Sequence, residues 1–222
     1  MKRLLRENGL SLVLFGLFFA AFILGQSLFG WNEYNNDLEE HGQPIVSLSQ
    51  YLVSGHFLEA TMENWESEFL QMGVYVVLTA FLYQKGSAES KSLSGSEPVD
   101  RDPRRFKNKK HAPGPVRRGG WMLRVYEHSL SLAFLLLFLG SFFLHAVGGQ
   151  SVYNEEQMLH GQPAVSLGGY METSRFWFES FQNWQSEFLA IGAMVVLTIF
   201  LRQRGSPESK PVDSPHWQTG SE

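Results

Sequence analysis

The sequence predicts an all-α, polytopic transmembrane protein: four spans as two parallel two-helix repeats, with short interfacial helices in the external loops. Three observations predict it. Two apolar runs are each about 20 residues long, enough to cross a hydrocarbon core of about 30 Å as a helix. The chain matches itself at a shift of about 120 residues, the mark of an internal repeat. Its Lys and Arg residues avoid the loops that join paired spans.

The first span is read at about 10–29, LSLVLFGLFFAAFILGQSLF. Its basic head, Lys2, Arg3 and Arg6, imitates a secretory signal, but the run is long for one and lacks a clear small-x-small cleavage site. Its copy at Leu130 to Gly149 is internal, where no signal peptide belongs, so an uncleaved helix is expected. After the first span comes an acidic helical extension, broken at Gly42 to Pro44 because the residue before proline is pushed out of helical backbone. Ser47 is placed to cap a short helix, VSLSQYL. From Phe57 a helical period runs without a breaker into the second span, about 64–84. The second copy repeats this order: a third span at about 130–149, a break at Gly161 to Pro163, a cap at Ser166, and a fourth span at about 183–202.

With one residue dropped, roughly half the positions from Tyr34 to Lys91 recur in the second copy. HGQPIVSLSQY matches HGQPAVSLGGY, and NWESEFLQMG matches NWQSEFLAIG. The organisation is therefore a first membrane repeat, 1–91, a basic linker, 92–118, a second repeat, 119–210, and a tail, 211–222. Linker and tail are rich in Ser, Gly, Pro and charge and are expected to be disordered.

Of 18 Lys and Arg residues, all but Arg175 fall in the amino-terminal tail, between Lys85 and Arg124, or after Leu201. The loops between paired spans instead carry Glu33, Asp37, Glu59, Glu63, Glu155, Glu156 and Glu179, among other acids. Both termini and the linker are thus expected to be cytoplasmic and both acidic loops external. Arg101, Arg104, Arg105, Lys107, Lys109 and Lys110 are expected to meet anionic lipid headgroups, and no nucleic acid is expected as a partner. A homo-oligomer or a membrane-protein partner fits the same composition.

Four polar residues stand beside apolar runs: Asn64 and Glu68, matched by Asn183 and Glu187. Glu66 is replaced by Gln185, so charge there is dispensable to the shared pattern. Counting about 1.5 Å per residue from Lys85 puts Glu68 about 25 Å up, near the external edge of the bilayer. One reading is an interhelical polar cluster in a belt anchored by Trp65 and Trp184. The other is the mouth of a cation or proton path between the two carboxylates. Asp37 lies four before His41, and Glu156 four before His160, a spacing that suits metal ligand pairs. The simpler reading is a solvated loop whose histidine caps a helix end. His145 lies toward the external end of the third span, but its counterpart is Gly25, so a duplicated mechanism should not depend on it.

No cysteine is present, so disulfides, thiol nucleophiles and thiolate metal sites are excluded. Neither a nucleotide fingerprint nor a hydrolase motif appears, so no cofactor is expected and the reading is non-enzymatic. The stretch SLSQYLVSGHFLEATMENWESEFLQMGVYVVLTAFLYQKGSAESK and its second copy resemble a family of small bacterial integral-membrane proteins of unknown function. The resemblance spans both repeats and implies a bacterial inner-membrane location, with no activity or ligand attached.

Overall fold

The structure, a computed structural model, describes residues 2–220, with side chains from Leu5 onward. Lys2 and Arg3, used above for orientation, and the last two residues of the tail have side chains outside the described residues. Every regular element among the described residues is helical.

The first helix, α1 (Lys2–Ala20), passes into a π-helical stretch (Ala21–Phe29) and then α2 (Gly30–Glu40) with helical backbone at both joins. The sequence supplies a reason for the π stretch. Glu7 matches Glu127 but Tyr34 matches Tyr153, so the first copy carries one extra residue in between. Closing turns five residues apart absorbs an extra residue inside a helix without unwinding it. Ser27 shows the wider turn, its Oγ donating to the Phe22 carbonyl five residues back at 3.0 Å.

α2 ends where Gly42 turns to φ +66°, and Pro44 prevents continuation. Asn35 then clamps the returning chain, accepting from the Val46 amide at 2.8 Å and donating to its carbonyl at 3.0 Å. Ser47 caps the short α3 (Leu48–Tyr51) in a box with Gln50. Next comes α4 (Gly55–Phe81). Among residues 92–118 the only helices are two short 3-10 turns and α5 (Gly114–Arg118), followed by α6 (Gly120–Glu127). α7 (Ser129–Leu159) is α-helical throughout. Past its break, Asn154 clamps Val165 at 2.8 and 3.0 Å, and Ser166 caps α8 (Leu167–Met171). α9 (Ser174–Phe200) closes the regular structure with the same 27-residue length as α4.

Three helices are long and apolar enough to cross a membrane: Leu5–Glu40, Ser129–Leu159 and Ser174–Phe200. Four were expected, and α4 is the one that falls short. It is long enough, but Glu59, Glu63, Glu66 and Glu68 occupy its first half, so its apolar run begins only at Phe69.

The chain divides into two compact units, Met1–Asn64 with Ser141–Glu179, and Trp65–Gly140 with Ser180–Glu222. The first has an aromatic core in which Ala146, Tyr170 and Phe176 are wholly buried. In the second, the Lys210 ammonium is buried and donates to the carbonyls of Gly86 and Gln218, fixing the tail's return.

Candidate cation centre

Of the residues singled out at the membrane edge, Glu68 on α4 and Glu187 on α9 stand within electrostatic reach of each other. Glu68 is exposed and Glu187 half-buried, and Gln71 donates to the Glu187 backbone carbonyl at 2.8 Å. Asn64 donates to the Ala60 carbonyl of its own helix at 2.7 Å. Asn183 is half-buried, one turn before Glu187 on α9. Glu66, set aside because its counterpart is Gln185, is wholly buried, and the Trp184 indole donates to its Oε1 at 3.3 Å. Gln185 is exposed, so matching positions have unlike surroundings. Trp65 packs edge-on to Phe69.

The proposed ligand pairs sit at helix ends. His41 Nδ1 lies 2.8 Å from the Asp37 carbonyl, and His160 Nδ1 the same distance from that of Glu156, each bonding the last turn of its helix. The Glu156 carboxylate is taken by the Arg175 guanidinium.

A second, buried group converges inside the first unit. His145 on α7 is wholly buried, with Nε2 3.6 Å from Glu179 Oε2 on α9. Glu59 on α4 reaches the same point, and one ligand-type atom from each of Glu59, His145 and Glu179 lies within 4.8 Å of the others. Glu59 is 7% exposed, and its Oε1 has no hydrogen-bond partner among the described residues. Glu179 is held on two sides: Arg175 Nε donates to Oε1 at 2.8 Å and the Tyr170 hydroxyl donates to Oε2 at 2.9 Å. The His145 ring lies 5.1 Å from that of Phe176, which fixes its plane.

Glycines bring α4 this close. A Cβ on Gly148 would stand 2.5 Å from the Glu59 backbone nitrogen, and one on Gly149 would meet the Tyr170 hydroxyl first and Glu59 Oε1 at 2.9 Å. Gly55 repeats the pattern from the α4 side, where a Cβ would meet Ser151 at 2.6 Å. Gly148 and Gly55 let the backbones of α4 and α7 approach closely, and that approach places Glu59 at the centre.

The electrostatics favour a proton or a cation on Glu59. The centre sets two carboxylates, Glu59 and Glu179, beside one guanidinium, Arg175, which also pairs with the half-exposed Glu156 outside the centre. Glu59 precedes the residues read as the membrane-crossing part of α4. Burial, with the Glu179 charge second, pushes its carboxyl up to about 7, while Arg175 and His145 pull the other way. Two carboxylates and an imidazole make a ligand set for a divalent ion, with the second shell already built on Glu179 by Arg175 and Tyr170.

Repeat comparison hides this centre. Glu59 matches Phe178, Glu179 matches Ala60, and neither Gly25 nor Gln26 can replace His145, so each member is unique to one copy. One signal does point to it. Arg175 is the single Lys or Arg in the acidic loops, and one of its two partners, Glu179, is a member of the cluster.

Fold and centre together define an all-helical protein with membrane-compatible helices and a buried His-carboxylate group. Residues 1–221 match the family described as Domain of unknown function (DUF6766), and the chain belongs to it. Neither a curated protein nor a solved structure matches the chain.

Proposed function

We propose that the protein is a non-enzymatic integral component of the bacterial inner membrane that holds a divalent cation near its external face. α4 forms the second of four spans, the two copies are parallel repeats, and both termini are cytoplasmic. Supporting the repeat are the paired clamps of Asn35 and Asn154 and the paired caps of Ser47 and Ser166. Supporting the orientation is the segregation of Lys and Arg.

The observation that carries the cation reading is the buried Glu59 oxygen without a hydrogen bond, within 4.8 Å of ligand atoms on His145 and Glu179. A buried carboxylate in that state is costly unless a proton or a metal neutralises it. The proton is the second reading, favoured by the same oxygen and by the shift of Glu59 toward neutral pH.

Metal content of purified full-length protein, followed by zinc and manganese titration, tests the reading. Wild type is expected to retain about one divalent ion per chain, as a single three-ligand site would. Glu59→Gln and His145→Gln should abolish retention, Arg175→Gln should weaken it about 10- to 100-fold as a second-shell change, and His41→Ala with His160→Ala should leave it intact. Equal retention in wild type and Glu59→Gln would refute the site. No binding, together with proton uptake lost in Glu59→Gln, would transfer the site to the proton reading.

A further inference from the structure

A separate cavity in the second unit, about 620 Å³ in volume, is lined by Arg104, Lys107, Arg117, Arg118, Trp121 and Arg124. No acidic residue lines it. Its shape comes from a sharp turn: Gly119 and Gly120 stand at φ +69° and +64°, a region costly for any other residue. The turn folds the basic end of α5 back beside α6, so Arg117, Arg118 and Arg124 face one space. Ala112, Val116 and Leu123 form a small buried core beneath, and Arg117 Nε is fixed on the Ala112 carbonyl at 2.9 Å. The cations are therefore gathered by folded structure and are more than a run of charge along a linker.

We infer that this cavity binds the phosphate of an anionic phospholipid headgroup. Position argues for lipid. α6 ends at Glu127 and α7, one of the membrane-compatible helices, begins at Ser129, so the cavity sits where the chain enters its apolar run. Trp121 is 74% exposed at the cavity's edge, the placement an indole takes at headgroup depth. Five cations exceed what one phosphodiester requires, so the site gains from the surrounding negative surface of an anionic leaflet. On the orientation proposed above this is the cytoplasmic leaflet, and the inference rests on that membrane reading.

The test uses full-length protein in nanodiscs of phosphatidylcholine doped with phosphatidylglycerol, with lipid retention read by native mass spectrometry. Arg117→Gln, Arg118→Gln, Arg124→Gln together should reduce phosphatidylglycerol retention on the order of 100-fold, from three juxtamembrane charges. Arg101→Gln, Lys109→Gln, Lys110→Gln remove as much charge outside the cavity and should change retention less than about threefold, since diffuse charge is screened. Arg124→Gln alone, the mildest variant, should lower retention about fivefold and keeps the test open if the triple variant fails to fold. Equal losses in the two triple variants would overturn the cavity as the site. Displacement of the lipid by millimolar inorganic phosphate, or tighter binding of a single-stranded RNA than of lipid, would overturn the lipid as occupant. Failure of wild type to enter nanodiscs at all would instead refute the membrane reading on which the inference rests.

Discussion

A carboxyl group buried between a histidine and a second carboxylate resists ionisation, because burial and like charge both favour its protonated form. Glu59 is in that position, pushed up to about 7 from an ordinary value of 4.5. The raised value means the folded state binds the proton more tightly than the unfolded chain does. The stability it contributes is thus full below about pH 4.5 and is lost as pH rises through about 7. In metal-free protein, the thermal midpoint should fall across that window, and Glu59→Gln should flatten the fall; an unchanged pH profile in the variant would contradict the assignment. Gly148 permits the approach of α4, and Gly148→Ala should cost about 1 to 3 kcal/mol by overpacking, measured as a lowered denaturant midpoint. At this scale the sequence was only partly legible. His145 and Arg175 both stood out, one as an intramembrane histidine and the other as an isolated cation. Nothing in their spacing could say that Glu59, 86 residues before His145, completes the group. Glu66 was discounted because Gln185 matches it, yet it is buried against Trp184, a contact that only tertiary packing creates.

Elements were more legible, since breaks and caps are local chemistry. Pro44 with Gly42, Pro163 with Gly161, and the serine caps stand where the sequence put them. The π-helical stretch was not foreseen, although the one-residue offset between copies was its trace. That origin makes a prediction about the element. Deleting Leu24 should convert Ala21–Phe29 to α-helix and keep α2 in register, with the Tyr51 hydroxyl still bonded near Gln26. Deleting Leu136 from α7, which has no extra residue to lose, should turn everything beyond it by about 100° and remove His145 from the centre. Metal retention after each deletion checks this: kept in the first, lost in the second. Loss in both would mean that the π stretch itself is required. The second span, 64–84, was found by its match to the fourth, and it is the one that falls short of the apolar content a span needs. α4 copies α9 in length and ending, but its acidic first half makes it fall short on apolar content.

At the scale of the molecule, two copies of one unit have been put to different uses. Their shared residues, Asn35 with Asn154, Ser47 with Ser166 and Tyr51 with Tyr170, build the same scaffold twice. The unshared ones, Glu59, His145, Arg175 and Glu179, meet in a single centre. Duplication predicted the scaffold and concealed the site, because a match between copies finds what they share. The absence of native cysteine makes orientation directly measurable. Gln43→Cys and Gln162→Cys should react with an impermeant thiol reagent in intact cells, and Ser94→Cys only after permeabilisation, the reverse pattern contradicting the proposed topology. The central claim is the cation at the junction of α4, α7 and α9. Metal-edge anomalous diffraction from zinc-soaked crystals tests it most directly. A peak about 2.0 to 2.2 Å from a His145 ring nitrogen and from carboxylate oxygens of Glu59 and Glu179 is the expected result. A peak at His41 or His160 alone, or none at the centre with zinc in excess, would contradict it.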